Sequence, residues 1–448
     1  MRKKNVILLV VLKLRKVIYL ANNPIILPSY HPIIQNNMKI NKYSLNNGLR
    51  LVHYQDLSTQ MVALNIVYDV GARDEHPEHT GFAHLFEHLM FGGSVNIPDY
   101  DAPLQSAGGE NNAWTNNDIT NYYLTVPKSN VEIGFWLESD RMMELAFSEQ
   151  SLEVQRGVVM EEFKQRCLNQ PYGDVGHLIR PLAYEVHPYR WPTIGKDLSH
   201  IEQATLEEVK SFFYRFYAPN NAVLAVTGNI SWEETVRLTE KWFGPIPRRD
   251  VPVRQLPQEP VQTKERRQVV KRPVPLDALF MAYHMCSREH PDYYAFDILS
   301  DILSNGRSSR LNRRLVQEQK LFSGIDAYIS GTRDAGLLHI SGKPSAGVSL
   351  EQAEAAVRKE LQELQQVAIE EQELEKVKNK FESTQIFGNI NYLNVATNLA
   401  WFELAGQAED IDREVERYRA VTAVQLKAVA QETFREENSV VLYYEKDK

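Results

Sequence analysis

Apolar and polar positions alternate or cluster along the chain in a way that predicts its elements before any single residue stands out. Residues 61–70 (MVALNIVYDV) and 119–126 (ITNYYLTV) are strongly apolar, rich in β-branched and aromatic side chains, and read as strands. Asn47-Gly48 lies between two short strand-like runs and predicts a hairpin, because that dipeptide tolerates the positive φ of a tight turn. Apolar residues recur at helical spacing over roughly 128–145, 149–168 and 205–217. Helices grouped against mostly antiparallel strands predict an α+β sandwich.

The pattern occurs twice. Residues 205–224 (TLEEVKSFFYRFYAPNNAVL) align without gaps with residues 422–441 (TAVQLKAVAQETFREENSVV). In each, a threonine opens a capping box that Glu208 or Gln425 closes three residues later. Lys210 and Lys427 follow at the same offset, and an amphipathic helix ends near Asn221 or Asn438 before a β-branched strand. A repeat about half the chain long implies two duplicated α/β sandwich domains. Between residues 244 and 275 the chain carries Pro245, Pro247, Pro252, Pro257, Pro260 and Pro273 among many charges, the composition of an exposed, semi-rigid connector. The expected division is 38–248, a linker at 249–264, and 265–448, with 1–37 a disordered or over-extended start.

With 448 residues the chain is too long for one ordinary core. A net charge of −8 argues against a nucleic-acid partner and is compatible with basic or neutral peptides. Cys167 and Cys286 match no metal or redox spacing and read as buried thiols. Residues 1–21 begin basic and turn apolar, but Lys13, Arg15 and Lys16 interrupt the run, which is too short to span a bilayer. A cytoplasmic location is expected, with a periplasmic one as the alternative.

The stretch that carries chemistry is His84-Leu85-Phe86-Glu87-His88. On a helix, positions i and i+4 share a face, so both imidazoles can reach one ion. Glu87 points to nearly the same side, within reach of a water at that ion. Two histidines leave zinc short of the three protein ligands usual at a catalytic site. In 149–168, Gln155, Val158, Val159 and Glu162 fall on one stripe, which makes Glu162 the candidate third ligand. The alternative for Glu162 is a salt bridge to Arg141 or Arg156. These ligands would also accept manganese or cobalt.

His-x-x-Glu-His is the signature of the inverted-motif zinc peptidases. The sequence resembles the pitrilysin/insulinase family from about residue 40 to 445. Supporting stretches are 71–75 (GARDE), Thr80-Gly81, 108–113, 118–123, 138–142, 156–162 and 308–311 (SSRL). The resemblance implies one Zn²⁺ per chain held by His84, His88 and Glu162, with Glu87 as the base, in half of a clamshell that closes around a peptide. An extended peptide is expected to add beside the strand at Asn112, Ala113 and Trp114; for Trp114 the alternative is a half-buried sheet residue. Two departures stand out. Gln155 takes the place of an acid seven residues before the third ligand, and Val316 and Ser323 stand where the family's substrate-holding Arg and Tyr would be. A homologous second subunit supplying that pair is therefore expected, with a homodimer as the alternative. Residues 294–303 (YAFDILSDIL), in the second half, hold aspartates but no histidine, so one site per chain follows. The activity expected is that of a zinc-dependent endopeptidase; the competing readings are a non-catalytic scaffold subunit of the same fold and a zinc store.

Overall fold

The computed structural model describes residues 38–447, which build two β-sheets with helices packed on them. The first sheet comprises β1 (Ile40–Ser44), β2 (Arg50–Gln55), β3 (Met61–Tyr68), β4 (Glu110–Thr115), β5 (Thr120–Pro127) and β6 (Ala222–Gly228), in the order β1-β2-β6-β3-β5-β4. The second comprises β7 (Arg266–Arg272), β8 (Ala278–His284), β9 (Phe322–Ile329), β10 (Leu337–Pro344) and β11 (Ser439–Lys446), in the order β7-β11-β8-β10-β9. One pair in each is parallel, β2 with β6 and β7 with β11, and the other neighbours are antiparallel. Apart from β1, which has no counterpart among the described strands of the second sheet, the strand order and the place of the parallel pair are the same and show the α+β duplication in three dimensions. Readings that fall on residues 1–37 lie outside the described residues. Among the described residues no helix is long and apolar enough to cross a membrane.

The local signals act as their chemistry dictates. Gly48 turns the β1–β2 hairpin at φ +93°. Thr205 and Thr422 accept the N–H of Glu208 and Gln425 and start helices Leu206–Phe216 and Ala423–Thr433. Asn221 donates to the carbonyls of Phe216 and Asp69, and Asn438 to those of Thr433 and His284. In both halves, then, one amide ties the helix end to the far end of a neighbouring strand, which is why the repeat keeps an asparagine there. The segment 249–264 has no regular structure, but it is anchored: Arg254 pairs with Asp74, and Glu259 accepts the N–H groups of Glu185, Val186 and His187.

The halves exchange helices. Tyr392–Ala405, from the second half, lays Val395, Ala396, Leu399 and Ala400 on Val52, Ala63, Val67 and Val223 of the first sheet. Reciprocally, Val175–Ala183 sets Ile179 and Ala183 against Ala282 and Val440 of the second. Each fully buried Leu or Val side chain is worth roughly 1.5–3 kcal/mol, so this exchange is a substantial tie. An ionic junction adds to it: Arg73 meets the buried Asp118 at 3.1 Å and the partly exposed Asp334 at 3.0 Å, while the Arg333 N–H donates to Asp118 at 3.0 Å.

Candidate metal centre

Helix Phe82–Leu89 carries the motif. Phe82, Leu85, Phe86 and Leu89 are buried, and the Phe86 ring stacks against Phe212 at 5.1 Å and against Tyr217 at 5.0 Å. This anchoring fixes the rotation of the helix and turns His84 and His88 toward helix Glu149–Phe163. Its start is built as firmly. Gly81 adopts φ +91°, and the carboxylate of Glu75 accepts the N–H groups of Gly81 (2.9 Å) and Ala83 (2.8 Å) and the Trp191 indole N–H (3.1 Å). Burial pushes the Glu75 carboxyl up to about 8, with those three donors opposing. Sequence reasoning passed over Glu75, whose partners are two backbone N–H groups and a distant indole that no local pattern marks.

The Nε2 atoms of His84 and His88 approach the same Glu162 oxygen, Oε2, at 3.5 and 3.3 Å. The other oxygen, Oε1, is held by Arg166 at 2.8 Å. The three ligand atoms lie within 4.8 Å of one another, and among the described residues no other group of three such side chains converges in this way. Separations of that size suit one ion: tetrahedral ligands at about 2.0–2.1 Å from zinc stand roughly 3.3 Å apart. Burial lowers the His84 imidazole to about 4, so at neutral pH it is uncharged and its lone pair is free for a cation. His88 chiefly holds the Glu162 carboxyl below its ordinary range, burial opposing and His84 and Arg166 assisting. Among the described residues the buried His84 Nδ1 has no hydrogen-bond partner of the kind that usually orients a ligating imidazole. The donor set and its spacing fit zinc.

Glu87 sits beside this cluster. Burial raises its carboxyl, while the Thr115 hydroxyl and His88 pull the other way. A carboxyl poised upward next to a cation site is suited to taking and returning a proton. Thr115 ends β4, the edge strand of the first sheet, and helix Phe82–Leu89 packs along that strand. Of the residues expected to meet substrate, Ala113 packs into the core on the motif side. Its N–H donates to Asn112 Oδ1 at 2.8 Å. Trp114 packs on the opposite face, in the cluster formed with helix Tyr392–Ala405, so its ring is turned away from the cluster of ligands.

Three expectations need correction or refinement. Val158 is 46% exposed; the buried residues of its helix are Leu152, Val159 and Phe163, a stripe one residue further round, which Glu162 borders. Arg141 pairs with Glu138 and Arg156 with Glu153, so neither partners Glu162; Arg166, one turn on, does. Cys286 is half-buried rather than buried, though both cysteines are free.

The second half carries the same frame without the ligands. Residues 83–93 match 296–306 without gaps, each ending in a glycine at positive φ (Gly93, Gly306). Asp297, Ser300 and Asp301 thus stand at the places of His84, Glu87 and His88. Asp297 accepts from Tyr418 at 2.6 Å and Asp301 pairs with Lys380 at 2.7 Å. Val316 packs partly buried against the second core, and the Ser323 hydroxyl donates to the Lys343 carbonyl.

The sequence profile described as Insulinase (Peptidase family M16) matches residues 50–174, and that described as Peptidase M16 inactive domain matches residues 203–381. The chain belongs to the insulinase, or M16, family. The zinc protease PqqE of Helicobacter pylori is 28% identical over 406 residues, 89% of this chain and 91% of that protein. The crystal structure of a protease from Helicobacter pylori superposes with a TM-score of 0.87 at 27% identity, covering 91% of this chain and 99% of the other. The first half of the periplasmic protease PqqL from Escherichia coli shares the fold, with a TM-score of 0.74 at 19% identity over 91% of this chain and 92% of the other. Against the intact PqqL chain the match spans 47% of its length, so this M16 protein has the extent of one half of that enzyme.

Proposed function

We propose that the chain is a zinc-dependent endopeptidase that cleaves peptides or unfolded polypeptides. The observation that supports this reading most is the convergence of His84 and His88 on one oxygen of Glu162, with Glu87 beside them. His84, His88 and Glu162 would hold the ion. Zinc bound there would supply Lewis acidity and make water acidic enough to attack at neutral pH. Glu87 takes the proton of the attacking water and returns it to the leaving amine. Among the described residues β4 is an edge strand, and an extended peptide would lie along Asn112 to Trp114, replace Asn112 Oδ1 as the acceptor of the Ala113 N–H, and present its scissile bond to Glu87.

The second half offers no guanidinium or phenol at Val316 or Ser323. A homologous second subunit supplying such a pair completes the reading, in keeping with the half-length extent of the chain relative to PqqL. A homodimer is the simpler alternative. A non-catalytic scaffold role is favoured by one observation, the match of residues 203–381 to the inactive-domain profile. A mixed peptide library incubated with the zinc-loaded chain, alone and with a co-expressed homologous subunit, separates these. Cleavage in either mixture, abolished by Glu87→Gln, is expected; none in both, with zinc bound, would favour the scaffold.

A further inference from the structure

Arg180 stands at the end of the edge strand that flanks the metal centre. Two chains of contact place it there. The Phe163 ring, next to Glu162, meets His177 at 5.3 Å, and Arg180 lies one turn further along helix Val175–Ala183. From the other side, Asn117, two residues past Thr115, accepts from Arg180 Nη1 at 3.3 Å; the Tyr189 carbonyl accepts from the same nitrogen at 3.2 Å. Tyr328, on the edge strand of the second sheet, is 54% exposed and stacks on His339 at 4.8 Å; both are close enough to feel the charge of Arg180.

Among the described residues Arg180 has no carboxylate within ion-pair distance. The acid nearest in sequence to its partner Asn117 is Asp118, which is committed to Arg73 and Tyr189. Arg249, by contrast, is also without an acid but spreads four hydrogen bonds over three carbonyl oxygens and an Asn220 amide contact at its backbone. Arg180 uses a single nitrogen, leaving Nη2 and Nε without a described protein acceptor. Holding a half-buried guanidinium without a counter-charge is costly, and a ligand that brings the charge removes that cost. Burial lowers the Arg180 guanidinium, a cost that a carboxylate partner would offset.

We propose that Arg180 recognises a carboxylate of the bound peptide beyond the end of β4, so that the enzyme selects peptides carrying an acidic side chain or a free C-terminus at that point. The proposal rests on the peptidase reading and adds a substrate class to it. The local charge thus runs against the overall −8, which by itself would favour basic peptides.

The test uses sets of peptides of one sequence in which a glutamate is replaced by glutamine, or the C-terminus is amidated. Binding to the zinc-loaded Glu87→Gln chain is followed by fluorescence anisotropy, and cleavage is followed with the unaltered residue 87. An acid-to-amide affinity ratio of about tenfold is expected for one of the two positions. Loss on amidation identifies the terminal carboxylate, and loss on Glu-to-Gln exchange identifies a side chain. Arg180→Gln should bring the ratio to near one, and Arg180→Glu should turn the preference toward a lysine peptide. A ratio near one at both positions in the unaltered protein overturns the proposal, however the variants fold; so does a ratio that survives Arg180→Gln. Discrimination without cleavage, both alone and with the co-expressed homologous subunit, would remove the peptidase reading and leave Arg180 in its role, whereas cleavage without discrimination would do the reverse.

Discussion

At the scale of the residue, the centre depends on groups that hold the motif as well as on the motif itself. Removing the Glu75 carboxylate would leave the N–H groups of Gly81 and Ala83 and the Trp191 indole without their acceptor in a buried site. Glu75→Ala should therefore lower unfolding stability by about 2–4 kcal/mol, read as a shift of the urea midpoint. A midpoint within error of the unaltered protein would mean that water or another acceptor replaces it. His84, Glu87 and His88 were legible because i, i+4 spacing on a helix is a purely local signal. Glu162 was legible as an acid beside an apolar stripe, but the stripe runs through Val159 and not through Val158, since a hydrophobic residue next to a buried one can still face water. Glu75 was not legible, because its partners are backbone N–H groups and a tryptophan more than a hundred residues away.

At the scale of the element, the helix bearing the motif begins on a glycine that no other residue can easily replace. At Gly81 a Cβ would meet Ile201 Cδ1 at 2.8 Å and the Ile194 carbonyl at 2.9 Å, in addition to the left-handed backbone. Gly81→Ala should cost at least about 1–2 kcal/mol and weaken metal affinity by displacing the helix; thermal unfolding with and without zinc measures both, and an unchanged difference between the two curves would contradict the coupling. Strands and capped helices were readable from alternation, from Asn47-Gly48 and from the Thr205 and Thr422 boxes, since these signals are local. The exchange of helices Val175–Ala183 and Tyr392–Ala405 was not. An apolar helix face announces that it will be covered, but it does not say by which sheet, and both sheets offer similar β-branched surfaces.

At the scale of the whole molecule, the duplication seen in residues 205–224 and 422–441 extends to the sheets, which share their strand order apart from β1, and the junction between the halves is fixed by charge as well as by helices. Asp334 reaches from the β9–β10 connection to His187 and Arg73, which together hold its carboxyl down to about 2 from an ordinary 3.8. A carboxyl depressed in the folded state contributes stability above its unfolded value, and that contribution is lost as pH falls toward the folded one. Asp334→Asn should accordingly be less stable than the unaltered protein at neutral pH, modestly so because the side chain is partly exposed, and the gap should close between about pH 4 and pH 2. A gap independent of pH, measured by denaturant midpoints, would assign the loss to packing rather than charge. Such a junction could not be read from sequence, as it joins acids, arginines and a histidine from four separate segments. The most direct test of the central claim is the zinc content per chain after metal removal and reconstitution with equimolar zinc. One ion per chain is expected for the unaltered protein and for Glu87→Gln, and close to none for His88→Ala and Glu162→Gln; one ion per chain in all four would contradict the assignment of His84, His88 and Glu162 as the metal centre.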